Sequence, residues 1–375
     1  VGLAIAESGV ETGFTIQARD INGNHRQPMD AVTIRAVRDT PAVSLAGFES
    51  EVVLTGVATY DGDGFYTVRY TPSDSGNFAL SVTIDGEDVI DSPFDLVVSP
   101  TYATGAYCTA YEPQLTPVSR VVAPATVGQE HSFVIHSKDR FDNYMTAGRI
   151  SGEIGGDKYV VRALGPEMYP KPIRGLVVDN EDSTYTATFT PEIAGPYLVH
   201  VLLARSYVHE TGLTGEYFSN QWMRGDPALV RVDSVLDFDW TSPGGEGDAA
   251  LLVTESWGAS LVSARWTGYV EPEHPEFYTF HVVADDGARL WIGEELLVDE
   301  LHSGAGEWSA ETSFRMLPGT LYEVRLDYRQ SSAEYHVSLQ WQSINTARDV
   351  VPSANLYPGA AEIKDSPFDV MASDL

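Results

Sequence analysis

Asp91-Ser92-Pro93-Phe94-Asp95 and Asp365-Ser366-Pro367-Phe368-Asp369 are the same five residues written twice, the second time almost at the end of a chain of 375 residues. Outward from these marks, other positions recur at a constant shift. Phe14, Asp20, Asn24, Tyr66, Pro72, Gly76 and Phe78 answer to Phe133, Asp139, Asn143, Tyr185, Pro191, Gly195 and Tyr197, each pair 119 positions apart. Self-similarity at a fixed spacing marks a repeated structural unit. The two pentapeptides, however, lie 274 positions apart, so 155 further residues fall between Tyr197 and Asp365. In the first copy the run Phe78 to Ile84 turns at Asp85-Gly86 and returns directly into the pentapeptide. In the second, the run Tyr197 to Leu203 returns only after the extra segment. The expectation is a separate domain occupying the last hairpin of the second unit.

Both units read as all-β. Short runs such as Phe14-Thr15-Ile16-Gln17-Ala18 and Phe65-Tyr66-Thr67-Val68-Arg69-Tyr70 alternate apolar and polar residues between turn clusters, the pattern of half-buried strands in a sandwich. Asp61-Gly62-Asp63-Gly64 supplies the residues a tight reversal needs; calcium is the other reading of such a cluster, but the twelve-residue loop spacing is absent. Proline in the pentapeptide removes a ladder donor and belongs at a strand's start or on an edge.

Composition bounds the function. A formal charge of −31 argues against nucleic-acid and anionic-lipid partners, which need a basic face, and suits a setting rich in salt or divalent cations. No apolar run is long enough to span a bilayer, and the chain opens without a recognisable leader, close to the start of the first repeat. No Asn-x-Ser/Thr sequon occurs. The single cysteine, Cys108, excludes a disulfide within the chain. It lies among Tyr102, Tyr107, Tyr111 and Pro113 in a non-repeating stretch, either as a packing residue or as a cross-link between chains. Enzyme signatures are lacking: the nine histidines show no zinc spacing, there is no nucleophile elbow or phosphate loop, and Glu271-Pro272-Glu273-His274-Pro275-Glu276 reads as a solvated loop. The expectation is a non-catalytic protein.

Phe14 to Asn24, Asp63-Gly64-Phe65-Tyr66, Tyr70-Thr71-Pro72, Gly76 and Ser92-Pro93-Phe94 together resemble a filamin-type immunoglobulin repeat, which implies a seven-stranded sandwich used as a rigid spacer or as a platform for an added strand. The inserted segment holds all seven tryptophans, at 222, 240, 257, 266, 291, 308 and 341. Its landmarks Gly215-Glu216-Tyr217-Phe218, Asp237-Phe238-Asp239-Trp240, Ala264-Arg265-Trp266-Thr267-Gly268, Asp285-Asp286-Gly287-Ala288-Arg289-Leu290-Trp291-Ile292-Gly293 and Val337-Ser338-Leu339-Gln340-Trp341 resemble a PA14 domain, implying an antiparallel β-sandwich or barrel. The expected boundaries are 1–98 for the first repeat, 99–117 for a linker, 118–211 with 358–375 for the second repeat, and 212–357 for PA14.

Asp285 and Asp286 are the leading candidate site. Adjacent carboxylates repel unless hydrogen bonds or a hard cation offset their charge. In adhesin members of the PA14 family the matching pair binds calcium through a cis peptide, and the calcium holds sugar hydroxyls; in other members the run is a structural turn. The resemblance thus implies Ca2+ at Asp285 and Asp286, with Asn345 and Asp349 as candidate contributors and a glycan as ligand. Tryptophans stack on sugar rings or fill cores. Trp266, Trp291 and Trp341 sit in apolar runs, whereas Trp222 and Trp308 have polar neighbours and are expected nearer the surface, with Trp308 joining the ligand site. Two functions follow: an extracellular structural protein whose units join copies of themselves or related proteins in a fibre, sheath or appendage, or a calcium-dependent glycan-binding adhesin at the cell surface.

Overall fold

The computed structural model describes residues 2–26, 31–38, 53–111, 123–145, 154–166, 172–205, 211–240, 263–331 and 336–374. It is almost wholly β-strand, in three sandwiches. In the first, a sheet ordered Ile5–Glu7, Phe94–Ser99, Gly76–Ile84, Val32–Arg38 and Val53–Thr55 faces a sheet of Thr12–Gln17, Phe65–Tyr70 and Val57–Gly62. Phe78, Leu80, Val82, Val68 and Val98, on alternate positions, close the core between them. The Asp61–Gly64 stretch is the hairpin turn between Val57–Gly62 and Phe65–Tyr70, with Asp63 and Gly64 at positive φ.

The second sandwich repeats this plan. Ala125–Thr126, Phe368–Ser373, Gly195–Arg205, Lys158–Leu164 and Ile173–Arg174 form one sheet, and Thr109–Tyr111, His131–His136, Thr184–Phe189 and Leu176–Asp179 the other. Phe133, Tyr185 and Tyr197 are each at most 1% exposed at its centre. The two pentapeptides do identical work. Ser92 Oγ accepts the Val82 amide at 3.0 Å and Ser366 Oγ the Val201 amide at 2.8 Å. Asp91 and Asp365 both have positive φ, and both Ser-Pro bonds are cis. Phe94–Ser99 and Phe368–Ser373 then run antiparallel to Gly76–Ile84 and Gly195–Arg205. The last described strand therefore sits in the second sandwich, although the described strands from Leu213–Phe218 to Leu356–Tyr357 belong to the third.

That third sandwich packs a sheet ordered Leu229–Asp233, Leu213–Phe218, Ser263–Val270, Tyr322–Arg329, Gly287–Ile292 and Glu295–Glu300 against one of Asp237–Asp239, His336–Gln342, Thr279–Asp285 and Gly306–Glu311. Trp266, Trp341, Tyr278, Phe280 and Tyr328 fill the interior. Trp291 is only half-buried, under the Arg325 guanidinium at 4.4 Å. Trp257 lies outside the described residues.

Two seams tie the bodies together. Between the first two sandwiches, Asn143 Nδ2 donates to the Ser73 carbonyl at 2.8 Å and the Ser75 amide donates to Asn143 Oδ1 at 3.0 Å. Phe141 occupies the space over Gly9, where a Cβ would lie 2.4 Å from its ring. Between the second and third, Glu271 takes Lys158 Nζ at 2.9 Å, the Gly319 amide at 3.1 Å and the Tyr357 hydroxyl at 2.5 Å. Arg162 and Arg174 both pair with Glu323 at 3.2 Å. Val160, Leu321 and Tyr357 form a small apolar cluster within this ring of charge.

Of the segment 99–117 between the repeats, the described residues 99–111 pack against the second sandwich. Ser99, Thr101 and Ala103 are buried, and Thr109–Tyr111 is a strand paired with His131–His136; residues 112–117 lie outside the described part. Cys108 is fully buried, which favours the packing residue of the two readings over a cross-link between chains. Its sulfur receives the Tyr159 hydroxyl at 3.3 Å, and burial pushes the thiol pKa up. A thiol that is neither ionised nor reachable does not react. Under native conditions Cys108 is expected to resist maleimide labelling and to label fully in denaturant; rapid labelling of native protein would place it at the surface.

Candidate functional site

Asp285 ends the strand Thr279–Asp285 in one PA14 sheet, and Gly287 begins the strand Gly287–Ile292 in the other, so the dipeptide Asp285-Asp286 carries the chain across the sandwich. The peptide joining the two aspartates is cis. Only glycine fits next, because a Cβ at 287 would lie 2.3 Å from the Leu301 carbonyl oxygen. Asp286 is 7% exposed, and its Oδ2 receives both the Ser331 amide at 2.5 Å and the Ser331 hydroxyl at 2.6 Å. The Tyr328 hydroxyl donates to the Asp285 carbonyl at 2.5 Å and lies against the side-chain amide of the fully buried Gln330. The turn is thus fixed from beneath by buried polar groups, while the Asp285 side chain is half-buried at the rim.

Beside this turn stands a second loop. Trp222 is 56% exposed, with the Arg329 guanidinium 5.5 Å from its ring and His302 at 6.2 Å between ring centroids. Gln221 Nε2 donates to the Gln330 carbonyl at 3.0 Å, and Arg329 Nη1 reaches His302 Nδ1 at 2.9 Å. The loops around 221, 302 and 330 therefore meet at the end of the sandwich that carries the aspartates.

The other expected site residues lie elsewhere. Trp308 pairs across the sheet with Val282 and packs half-buried against the core, so it does not offer the open face expected of a ligand-stacking residue. Asn345 and Asp349 lie toward the far end of the same sheet. Asp285 pairs with His336, while Thr279 pairs with Gln342 and Asp349 with Trp341. Five to six strand residues separate the two places, roughly 17–20 Å. Asn345 bonds Glu276, and the Asp349 side chain accepts the Val350 amide. Neither can join Asp285 at one ion. Trp222, expected only to be near the surface, is the exposed tryptophan beside the aspartate turn; its signal was the turn-forming Ser219-Asn220 before it, which places it on a loop rather than a strand.

Two carboxylates on one turn are hard oxygen donors and suit calcium rather than a soft metal. Among the described residues no third histidine, cysteine, aspartate or glutamate joins them, so a six- to eight-coordinate ion would draw on backbone, hydroxyl or water oxygens as well.

Sequence comparison matches the filamin/ABP280 repeat over residues 1–95 and 104–211, and the PA14 domain over 209–355. The matches run one after the other; the strand Phe368–Ser373, outside both, returns the chain to the second repeat. The chain is 34% identical over 176 residues to anti-sigma-I factor RsgI3 of Acetivibrio thermocellus, covering 42% of this chain and 26% of that one. It is 29% identical over 272 residues to filamin-C of Rattus norvegicus, covering 63% and 9%. The chain thus spans only a small part of either relative. Among solved structures, the PA14 sugar-binding domain from an RTX adhesin is 18% identical, covering 40% of this chain and 100% of that one at a TM-score of 0.31. With more than half of its residues in two matched repeats, this protein belongs to the filamin/ABP280 repeat family and also carries a PA14 domain.

Proposed function

We propose that the protein is a non-catalytic carbohydrate-binding protein of the cell surface or extracellular space, in which Asp285 and Asp286 of the PA14 domain hold calcium and the filamin-type sandwiches form its mount. The observation carrying this reading is the crossover turn itself: two adjacent carboxylates, one pinned by Ser331 and the other at the rim, beside an exposed tryptophan. Calcium would supply a charged centre to which vicinal sugar hydroxyls bind. Around it, Ser331 and Tyr328 orient the turn, and Trp222 offers a flat apolar face to the ring of a sugar.

Titration calorimetry on the whole chain tests the metal. Calcium is expected to bind, and Asp285→Ala to weaken it by more than the roughly 10–100-fold typical of changes outside the ligand shell. Equal calcium affinity in Asp285→Ala and wild type would remove the site. A glycan array run with calcium and with chelator then tests the ligand. Trp222→Ala is expected to lose glycan signal while keeping calcium; the Trp308→Ala variant, if folded, is expected to keep both.

A further inference from the structure

Arg329 stands apart from the other arginines of its sheet. Arg231, Arg265, Arg289 and Arg325 each have a carboxylate oxygen at 2.5–2.7 Å, from Asp233, Asp327, Asp299 and again Asp327. Arg329 ends the strand that carries Arg325 and Asp327, yet it pairs with no carboxylate among the described residues. In a chain with 54 acidic and 23 basic residues, opposite charge is abundant, and its four neighbours have each found some.

What Arg329 does touch leaves its charge in place. Nη1 donates to the Leu301 carbonyl at 3.4 Å and to His302 Nδ1 at 2.9 Å, and the Trp222 ring lies 5.5 Å from the guanidinium carbon. Nε is shut off from water and bonds nothing. A guanidinium can only donate, so His302 Nδ1 is the acceptor and the imidazole hydrogen sits on Nε2. His302 is exposed, which makes that hydrogen a second donor for a ligand. Glu300, on the same loop, takes the Ser303 hydroxyl instead and lies beyond ion-pair reach of Arg329.

This cation belongs to the end of the sandwich that carries the aspartate turn. Arg329 and Gly287 are opposite each other in the ladder, so the Arg329 backbone lies about 5 Å from the residue that follows Asp286. One short glycan can therefore reach both. We propose that the glycan taken here is acidic: its hydroxyls bind the calcium held by Asp285 and Asp286, and its carboxylate or sulfate binds the Arg329 guanidinium and the Nε2 hydrogen of His302. The inference rests on the calcium and glycan reading given above. Calcium offsets the two aspartates, and Arg329 is then left without a counter-ion until the ligand brings one. A guanidinium fork suits a planar carboxylate, to which it can make two parallel hydrogen bonds. The overall charge of −31 repels such a ligand from the surface at large, so a preference for acid sugars reads as a property of this site.

An array of matched sets tests the proposal, each set holding one glycan that ends in a neutral sugar, in its uronic acid and in its sulfate ester. With the whole chain in calcium, the acidic members are expected to give the stronger signal of every set that binds. Arg329→Gln is expected to weaken the acidic members by about 10–100-fold, the value of a hydrogen bond to a charged group, and the neutral members far less. Arg329→Lys keeps the charge and loses the fork, and is expected to retain part of the preference. Signal from uronic members alone would assign the planar carboxylate, and signal from sulfated members as well would assign negative charge as such. Neutral members that bind as tightly as their acidic counterparts would overturn the proposal and leave the glycan reading standing. So would an equal loss of both kinds in Arg329→Gln, the mark of a residue that only braces the loop at Leu301 and His302. An array with no calcium-dependent signal would overturn the glycan reading and this inference with it.

Discussion

Asp327→Ala is expected to destabilise the PA14 domain by about 3 kcal/mol, the lower end of the cost of removing one partner from a buried ion pair. Asp327 is 2% exposed on the strand Tyr322–Arg329. Arg265 reaches it from the neighbouring strand through Nε at 2.7 Å and Nη2 at 3.0 Å, and Arg325 from two residues back through Nε at 3.0 Å and Nη2 at 2.6 Å. Removing the carboxylate leaves two guanidinium groups side by side; the 42% exposure of Arg325 lets water recover part of the loss, hence the lower end. Burial by itself would raise the Asp327 pKa, but the hydrogen bonds and charges of the two arginines outweigh it and hold the carboxyl below its ordinary 3.8. A depressed folded pKa means that this stabilisation is present above the ordinary value and is lost as pH falls through the folded one. Urea melts of the PA14 transition at neutral and strongly acid pH check both parts: the gap between wild type and variant is wide at pH 7 and narrows in acid. A gap of constant width would show that the carboxylate's charge is not what stabilises the sheet.

The second large effect lies at the junction of the two repeats. Asp139 is fully buried, and besides its own turn it accepts the Thr101 amide of the connecting segment at 3.1 Å. Asp139→Ala takes the acceptor from three backbone amides, those of Thr101 and Asn143 in buried positions and that of Phe141 in a part-buried one, and leaves Asn143 Nδ2 with only its first-repeat partners, at a cost on the order of 3 kcal/mol. The same substitution at Asp20 removes the same turn-closing bonds in open solvent and is expected to cost far less. Because Asp139 also sets the Asn143 side chain, its loss should unlock the angle between repeats. Small-angle scattering is expected to show a broader distribution of interparticle distances for Asp139→Ala than for wild type and Asp20→Ala. Superimposable curves would mean that the Phe141 contact alone fixes the angle.

Much of this architecture is legible in a few residues. Ser92 and Ser366 are spaced differently from the other repeated pairs, and that difference alone announces the extra domain; their hydroxyls then prove to cap the same strand in each sandwich. The three-residue strand Thr109–Tyr111 is too short to show a period, and its place is decided by pairing with His131–His136. Trp308 misleads for a simple reason. In a strand the neighbours Glu307 and Ser309 point to the opposite face, so their polarity says nothing of where the indole goes. Asn345 and Asp349 fail for another: sequence order does not reveal which end of a strand a loop lies at. Trp222 reaches the candidate site through loops that only the tertiary fold brings together.

The return of the chain to the second sandwich after residue 357 also sets the path that a pull along the chain would take. Tension entering through the first repeat and leaving through Phe368–Ser373 crosses the second sandwich by the hydrogen bonds of that strand to Gly195–Arg205 and to Ala125–Thr126. The PA14 domain hangs in parallel with those bonds, as slack. It would feel such a pull only after the last strand had been sheared away, so the PA14 sandwich keeps its shape while the second sandwich is under strain.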